Sequence, residues 1–237
     1  MKLFKITIIL TCLIFNDIAS YAQKDTCRSF IRIGIKGTMG GAKINEINDL
    51  ATRWMDAIEN TTNIQITRPT MLPVNIEYGG QAYISMMPLK FLQIGAKLDY
   101  TMAPLEVKVQ NSLKLNVVSF IPETYILLTF GKFETGGGLL YSFTNIKVKD
   151  DFFGYNDNWY GKNLGYEFTI GFTSGLQKTI GYSFHVSYRS LIVDNVNDSF
   201  KRTMAITDSQ KNPIFDLTGV SINAGIYLNL FKIRRKK

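Results

Sequence analysis

Strict two-residue alternation is the feature that most constrains what this chain can fold into. From Leu92 to Met102 every second residue is apolar, and the residues between them are polar or small and include Lys97 and Asp99. Because successive side chains of a β-strand point to opposite faces, this segment has one apolar face and one charged face. The same parity recurs along the chain. The predicted strands are Phe30–Met39, Val74–Met86, Leu92–Met102, Val117–Phe130, Phe133–Phe143, Leu164–Phe172, Tyr182–Ile192 and Val220–Leu230.

The charges of these segments lie on their polar faces. Only Val117–Phe130 alternates poorly, and in the other segments no charge falls on the apolar face. A charge facing lipid costs up to about 2–4 kcal/mol at the membrane midplane, whereas the interior of an eight-stranded barrel is just wide enough for side chains that pair. We therefore predict an interior network of four cations, four carboxylates and the single histidine. Its members are Arg32, Lys36, Lys97, Arg189, Glu77, Asp99, Glu134, Glu167 and His185.

Short and long links alternate between the segments. The short links are 87–90, 131–132 and 173–181, and the long ones are 40–73, 103–116, 144–163 and 193–216. Bacterial outer-membrane barrels show this alternation, with short periplasmic turns and long extracellular loops. A water-soluble barrel would instead turn its apolar faces inward. The sequence therefore predicts an all-β fold, an eight-stranded antiparallel up-and-down transmembrane β-barrel, in the outer membrane of a Gram-negative bacterium.

The N-terminus has the parts of a secretory signal peptide. A positively charged start precedes an apolar run over 6–15 and a small-x-small cleavage site at Ser20–Ala22. The predicted organisation is a signal peptide over 1–22 and the barrel domain over 23–237. The net charge of +8 does not indicate nucleic-acid binding, because basic residues are dense only in the C-terminal tail.

The first long link contains one helical pattern. Ile47, Leu50, Trp54 and Ile58 follow helical spacing after Asn45, which is a good N-cap residue. We predict a short helix in the first extracellular loop. Two interpretations of it stay open: a lid across the barrel mouth, or a helix packed on its own loop.

The segment Pro122–Tyr141 contains a proline, an apolar strand, a tight turn and a glycine-rich strand. It resembles the central hairpin of the PorT-like outer-membrane β-barrel proteins. The last strand is similar to the signal read by the barrel-assembly machinery, with Gly225, Leu228 and Leu230 at the matching positions, although a basic tail follows it. The resemblance implies an eight-stranded barrel in a Gram-negative outer membrane, with the assembly machinery as a partner during biogenesis. It implies no single activity, and some members of the family assist protein secretion.

His185 and Ser187 form a His-x-Ser pair that resembles the catalytic pair of outer-membrane lipid A deacylases, whose acting residues face the lipid. The alternation turns both residues inward here, and Asn197 stands where a carboxylate is expected. We therefore predict no catalytic residue and no enzyme activity, with a lipid-modifying enzyme as one alternative. A small porin-like pore is another alternative, against which the balanced interior charges argue.

The third long link combines aromatic residues with aspartates whose spacing matches no known calcium loop. We therefore expect no metal and no cofactor. The aromatic residues are either a contact patch for a partner or part of the girdle at the membrane surface. The candidate patch consists of Phe152, Phe153, Tyr155, Trp159 and Tyr160.

These expectations together describe a non-enzymatic barrel with a structural or partner-binding role. Outer-membrane lipid surrounds it, and a protein partner binds its extracellular loops. An accessory subunit of an envelope or secretion complex is the form of this role that we expect.

Overall fold

The computed structural model describes residues 27–43, 45–63, 65, 74–89, 91–108, 112–152, 154–175, 178–194, 196–198 and 215–234. The predicted signal peptide lies outside these residues. The elements are β1 (Cys27–Lys43), α1 (Asn45–Thr62), β2 (Val74–Leu89), β3 (Leu92–Lys108), β4 (Ser112–Phe130), β5 (Phe133–Asp150), β6 (Tyr155–Ser174), β7 (Ile180–Ser190), β8 (Ile192–Val193), β9 (Asn197–Asp198), β10 (Phe215–Asp216) and β11 (Gly219–Arg234). Among the described residues, no helix has the length and apolar character needed to cross a membrane.

Eight long strands, β1 to β7 and β11, form a closed antiparallel barrel. Each strand pairs with its neighbour in chain order, and β11 pairs with both β7 and β1 to complete the ring. Following the register once around the ring from Gly41 on β1 returns to β1 at Ile31, ten residues away. Such a stagger requires strands that tilt relative to the barrel axis. The predicted fold class, an up-and-down eight-stranded barrel with one helix in the first link, is confirmed.

An apolar band surrounds the barrel, because the outward positions of every long strand are apolar over its middle part. On β6 the outward side chains from Leu164 to Phe172 are between 41% and 62% exposed. On β11 the outward row runs from Val220 to Leu230. A transmembrane strand needs about 9–11 residues, so both rows have the length that spans a bilayer.

The two ends of the barrel differ. The turn end carries the short links β2–β3, β4–β5 and β6–β7, and the helix end carries the other connections together with α1. Two of the four predicted long links are wrong. The links predicted over 103–116 and 144–163 are mostly strand, since β3 and β4 are separated only by 109–111 and β5 and β6 only by 151–154. The backbone pairing continues there after the outward residues have become polar.

The interior of the helix end is filled by an apolar plug. Helix α1 contributes Trp54, Met55 and Ile58 to it, and these side chains lie in one contiguous buried cluster with residues from the strands. The helix therefore packs on the barrel and covers its end. The other members of the apolar plug are Ala42, Ala103, Leu113, Leu115, Val117, Ile121, Leu140, Ile146, Val148, Trp159, Leu191, Val193, Val196, Phe215 and Leu217.

Candidate functional site in the barrel interior

The predicted interior residues all point into the barrel, below the apolar plug. Lys36 is half-buried, and the other eight are buried. The alternation of each strand places them there, because their apolar neighbours occupy the outward positions. The structure joins these residues into three connected groups across the lumen.

The first group is centred on Glu134 of β5. Arg32 donates from Nη1 to Glu134 Oε1 at 2.9 Å and to Gln93 Oε1 at 3.0 Å. The other carboxylate oxygen of Glu134 lies 3.0 Å from His185 Nε2, and Lys36 Nζ lies 3.0 Å from His185 Nδ1. A lysine ammonium can only donate. His185 therefore accepts at Nδ1 and donates from Nε2 to the carboxylate, so both ring nitrogens are occupied.

The second group is centred on Lys97 of β3. Its Nζ lies 2.5 Å from Glu167 Oε1, 3.0 Å from Glu123 Oε2 and 3.7 Å from Asp99 Oδ2. The three carboxylates lie within 4.8 Å of one another, which is close enough to hold a cation. The ammonium group of Lys97 already contacts all three, so it supplies the positive charge that a metal ion would otherwise bring.

Glu123 is a member of the network that sequence reasoning missed. It lies on β4, where Tyr125–Leu128 is apolar on both faces and the parity is hard to assign. In the structure the odd-numbered residues of β4 point inward, and Glu123 is 5% exposed. The predicted equality of charges is therefore wrong, because four cations meet five carboxylates in the network.

The third group lies against the apolar plug. Arg189 of β7 donates from Nη2 to Glu77 Oε2 of β2 at 2.5 Å, which spans the lumen. The same guanidinium lies 3.4 Å from the carbonyl oxygen of Leu217 in the plug. This pair marks the boundary between the charged and apolar layers.

Three inward tyrosines close the remaining space by lying over glycines on the neighbouring strand. A Cβ added at Gly95 would lie 2.5 Å from the ring of Tyr125, so only glycine fits opposite that ring. The alternation of the sequence places these residues at inward positions. Which tyrosine lies opposite which glycine depends on the strand register. The pairs are Tyr83 with Gly34, Tyr125 with Gly95 and Tyr227 with Gly181.

The space left among these groups is small. The cavity lined by Arg32, Lys97, Tyr125, Glu134 and His185 has a volume of about 20 Å³, which holds about one water molecule. The described part of the lumen is therefore filled by side chains, with charged groups below and the apolar plug above.

His185 and Ser187 are both buried in this interior, each 2% exposed. Neither ring nitrogen of His185 bonds to Ser187. The hydroxyl of Ser187 instead lies 2.8 Å from Thr169 Oγ1 and accepts from Asn223 Nδ2 at 3.1 Å. Both side chains therefore point into the barrel and not toward its outer surface.

The five aromatics predicted as a contact patch do not form one outward surface. Trp159 is 8% exposed and belongs to the apolar plug, and Phe152 packs against the plug. Tyr160 is 49% exposed and points outward. Phe153 and the side chain of Tyr155 lie outside the described part of the chain. The patch prediction fails for Trp159 because β6 begins at Tyr155, earlier than expected, and its alternation sends Trp159 and Tyr160 to opposite sides. It fails for Phe152 because this residue of the β5–β6 connection packs against the plug.

The residues of the proposed assembly signal lie on the closing strand. Gly225 faces Lys36 of β1 in the register, and Leu228 and Leu230 point outward in the apolar band. Their reading by the assembly machinery stays a prediction.

No protein-family model matches this sequence, and no curated protein resembles it closely enough to count as a match. Solved structures of similar fold include Ail, the attachment invasion locus protein of Yersinia pestis, at 8% identity and a TM-score of 0.49 over 87% of this chain and 99% of Ail. Neisserial surface protein A matches at 10% identity and a TM-score of 0.42 over 87% of this chain and all of that chain. The Escherichia coli outer-membrane protease OmpT matches at 8% identity and a TM-score of 0.35 over 88% of this chain and 98% of OmpT.

The closed ring of eight strands and the outward apolar band define the fold class of this chain, an eight-stranded antiparallel β-barrel. The narrower PorT-like resemblance stays a prediction.

Proposed function

We propose that this chain is a non-enzymatic outer-membrane barrel whose role is structural or partner-binding, as an accessory subunit of an envelope or secretion complex. The observation that carries the proposal is the filled interior. The cavity among the ion-paired groups has a volume of about 20 Å³, and the apolar plug fills the helix end. In such a barrel, the outer surface and the helix end are the regions accessible to a binding partner.

A pore is disfavoured by the same observation. An ion entering the described lumen would have to displace the Lys97 and Glu134 groups, which are paired and buried, and then cross the apolar plug. Moving a charge through such a layer without water carries a large desolvation cost.

The lipid-modifying alternative lacks an accessible catalytic group. His185 and Ser187 are the residues it requires, and both are buried within the network. The hydrogen-bonded wall of the barrel separates both residues from a lipid that lies against the apolar band. The non-enzymatic proposal therefore accounts for both residues as parts of the interior.

Site-specific photo-crosslinking in native outer membranes tests the proposal. A photoreactive residue is placed at Asp49 on the exposed side of α1 and at Gly154 in the β5–β6 connection. Matched controls place it at Lys132 and Lys178, which are exposed at the turn end. We expect protein adducts of defined mass from the helix end and not from the controls. The absence of any protein adduct at Asp49 and Gly154 would contradict a partner-binding role there.

A further inference from the structure

The outward side of β4, β5 and β6 becomes basic where these strands pass beyond the apolar band toward the helix end. Four exposed lysines lie there, with asparagines between them. We call this surface the basic face. It is formed by Lys114, Asn116, Lys147, Lys149, Asn158 and Lys162.

The strand register makes the basic face compact and continuous with the apolar band. Lys147 stands on β5 directly between Asn116 of β4 and Asn158 of β6. Lys162 lies directly opposite Phe143, an outward aromatic residue of the band. Neighbouring strands are about 4.8 Å apart and successive same-side residues about 7 Å apart. Lys162 therefore lies at the edge of the apolar band, and Lys147 and Lys149 follow two and three same-side positions beyond Phe143.

The positive charge of the basic face is only partly neutralised. Lys114 pairs with Glu106 at 3.3 Å, and Lys149 pairs with Asp151 at 2.9 Å. Lys147 and Lys162 have no ion pair among the described residues. Lys114 and Lys149 stand directly opposite each other, and their carboxylate partners offset the repulsion between them.

The basic face occupies one side of the barrel. Across the barrel, the outward rows of β7 and β11 reach the helix end with the uncharged residues Tyr188, Ser190 and Val220. A general preference for lysine at a membrane surface would distribute the charge around the ring. Among the side chains that the structure describes, four of the five exposed lysines on the strands at the helix end belong to the basic face, and the fifth is Lys43 of β1. This unequal distribution indicates a localised anionic ligand.

We propose that the basic face binds the phosphate-bearing headgroup of a glycolipid in the leaflet at the helix end. Its position next to the apolar band places the lysines at headgroup level, where ammonium groups pair with phosphate. The asparagine amides add donors and acceptors suited to sugar hydroxyls. The inference rests on the outer-membrane placement proposed above.

The test compares charge-removing variants of the folded chain in neutral detergent micelles. The probe is bisphosphorylated lipid A, with dephosphorylated lipid A as the reference, and the dissociation constant is measured. Each lysine near an anionic surface contributes about fivefold in affinity. We expect Lys147→Gln with Lys162→Gln to weaken binding about 25-fold. Lys114→Gln with Lys149→Gln weakens it less, because carboxylates already neutralise these two. The control is Lys132→Gln with Lys178→Gln, which leaves binding unchanged.

Two outcomes would overturn the glycolipid site: equal affinity in the basic-face and control variants, or equal binding of phosphorylated and dephosphorylated lipid A. Heat-modifiable gel migration is recorded for every variant. A chain whose folded and boiled forms migrate identically contradicts the barrel proposal itself. Normal heat modification with unchanged lipid binding contradicts only the basic face as a site.

Discussion

Arg32 illustrates how single residues stabilise a barrel whose interior is filled by paired side chains. Its guanidinium pairs with Glu134, donates to Gln93 and lies 5.1 Å from the centre of the Tyr227 ring. Arg32 and Glu134 are 2% and 1% exposed. Removing one member of such a pair leaves an uncompensated buried charge, which costs about 3–5 kcal/mol, whereas an exposed pair contributes about 0–1 kcal/mol.

We therefore expect Arg32→Met to lower the free energy of unfolding by about 3–5 kcal/mol. The double variant Arg32→Met with Glu134→Leu restores part of this loss, because it removes the unpaired carboxylate but leaves His185 Nε2 without its acceptor. Lys114→Met is the matched control, since it removes a cation from the exposed pair with Glu106, and it changes stability by at most about 1 kcal/mol. Urea unfolding in phospholipid vesicles measures all three. Equal losses for Arg32→Met and Lys114→Met would show that the buried network does not stabilise the barrel.

The buried residues of helix α1 recur at helical spacing in its sequence. Trp54, Met55 and Ile58 lie on one side and enter the apolar plug, while Arg53 and Asn60 are exposed. The sequence predicts the helix and its apolar side. It leaves open which surface that side meets, because the contacts in the plug come from strands far away in the chain.

Met55→Asp should release α1 from the barrel without opening the barrel. The side chain of Met55 is 1% exposed, and a carboxylate there has no partner in the apolar plug. A loss of about 1.4 kcal/mol already raises local opening tenfold. Tryptic cleavage after Arg53 should therefore become at least about tenfold faster, while heat-modifiable migration is retained. Asn60→Ala, on the exposed side, should leave the cleavage rate unchanged. If cleavage is equally fast in the unmodified chain and in Met55→Asp, α1 is not held by the plug.

For the whole molecule, the two-residue alternation of the sequence predicts which side chains point inward. It does not predict the register, that is, which residues of neighbouring strands lie opposite each other. The alternation of apolar and polar residues is enough to predict eight strands and the inward position of residues such as Glu134 and Arg32. The pairing of these two joins strands 102 residues apart, and no local pattern specifies it. The sequence also misjudges the strand ends, because the apolar alternation stops before the strands do. Backbone hydrogen bonding continues to Asp150 and begins again at Tyr155.

The apolar band makes a prediction that separates a membrane barrel from a water-soluble one. Phe168 lies in the middle of the outward row of β6 and is 52% exposed. In water, Phe168→Lys would replace an exposed apolar group and leave stability nearly unchanged or improve solubility. In a bilayer the same change places a charge near the midplane, which costs about 2–4 kcal/mol.

We expect Phe168→Lys to lose about 2–4 kcal/mol of unfolding free energy in phospholipid vesicles. Tyr160→Lys is the matched control, because it is an outward aromatic residue of the same strand at the level of the basic face. There the lysine reaches water and headgroups, so the loss should stay within about 1 kcal/mol. Equal losses at both positions would mean that the outward row of β6 does not cross a bilayer. A large loss at Phe168 alone fixes the depth of the band and places the basic face at its edge.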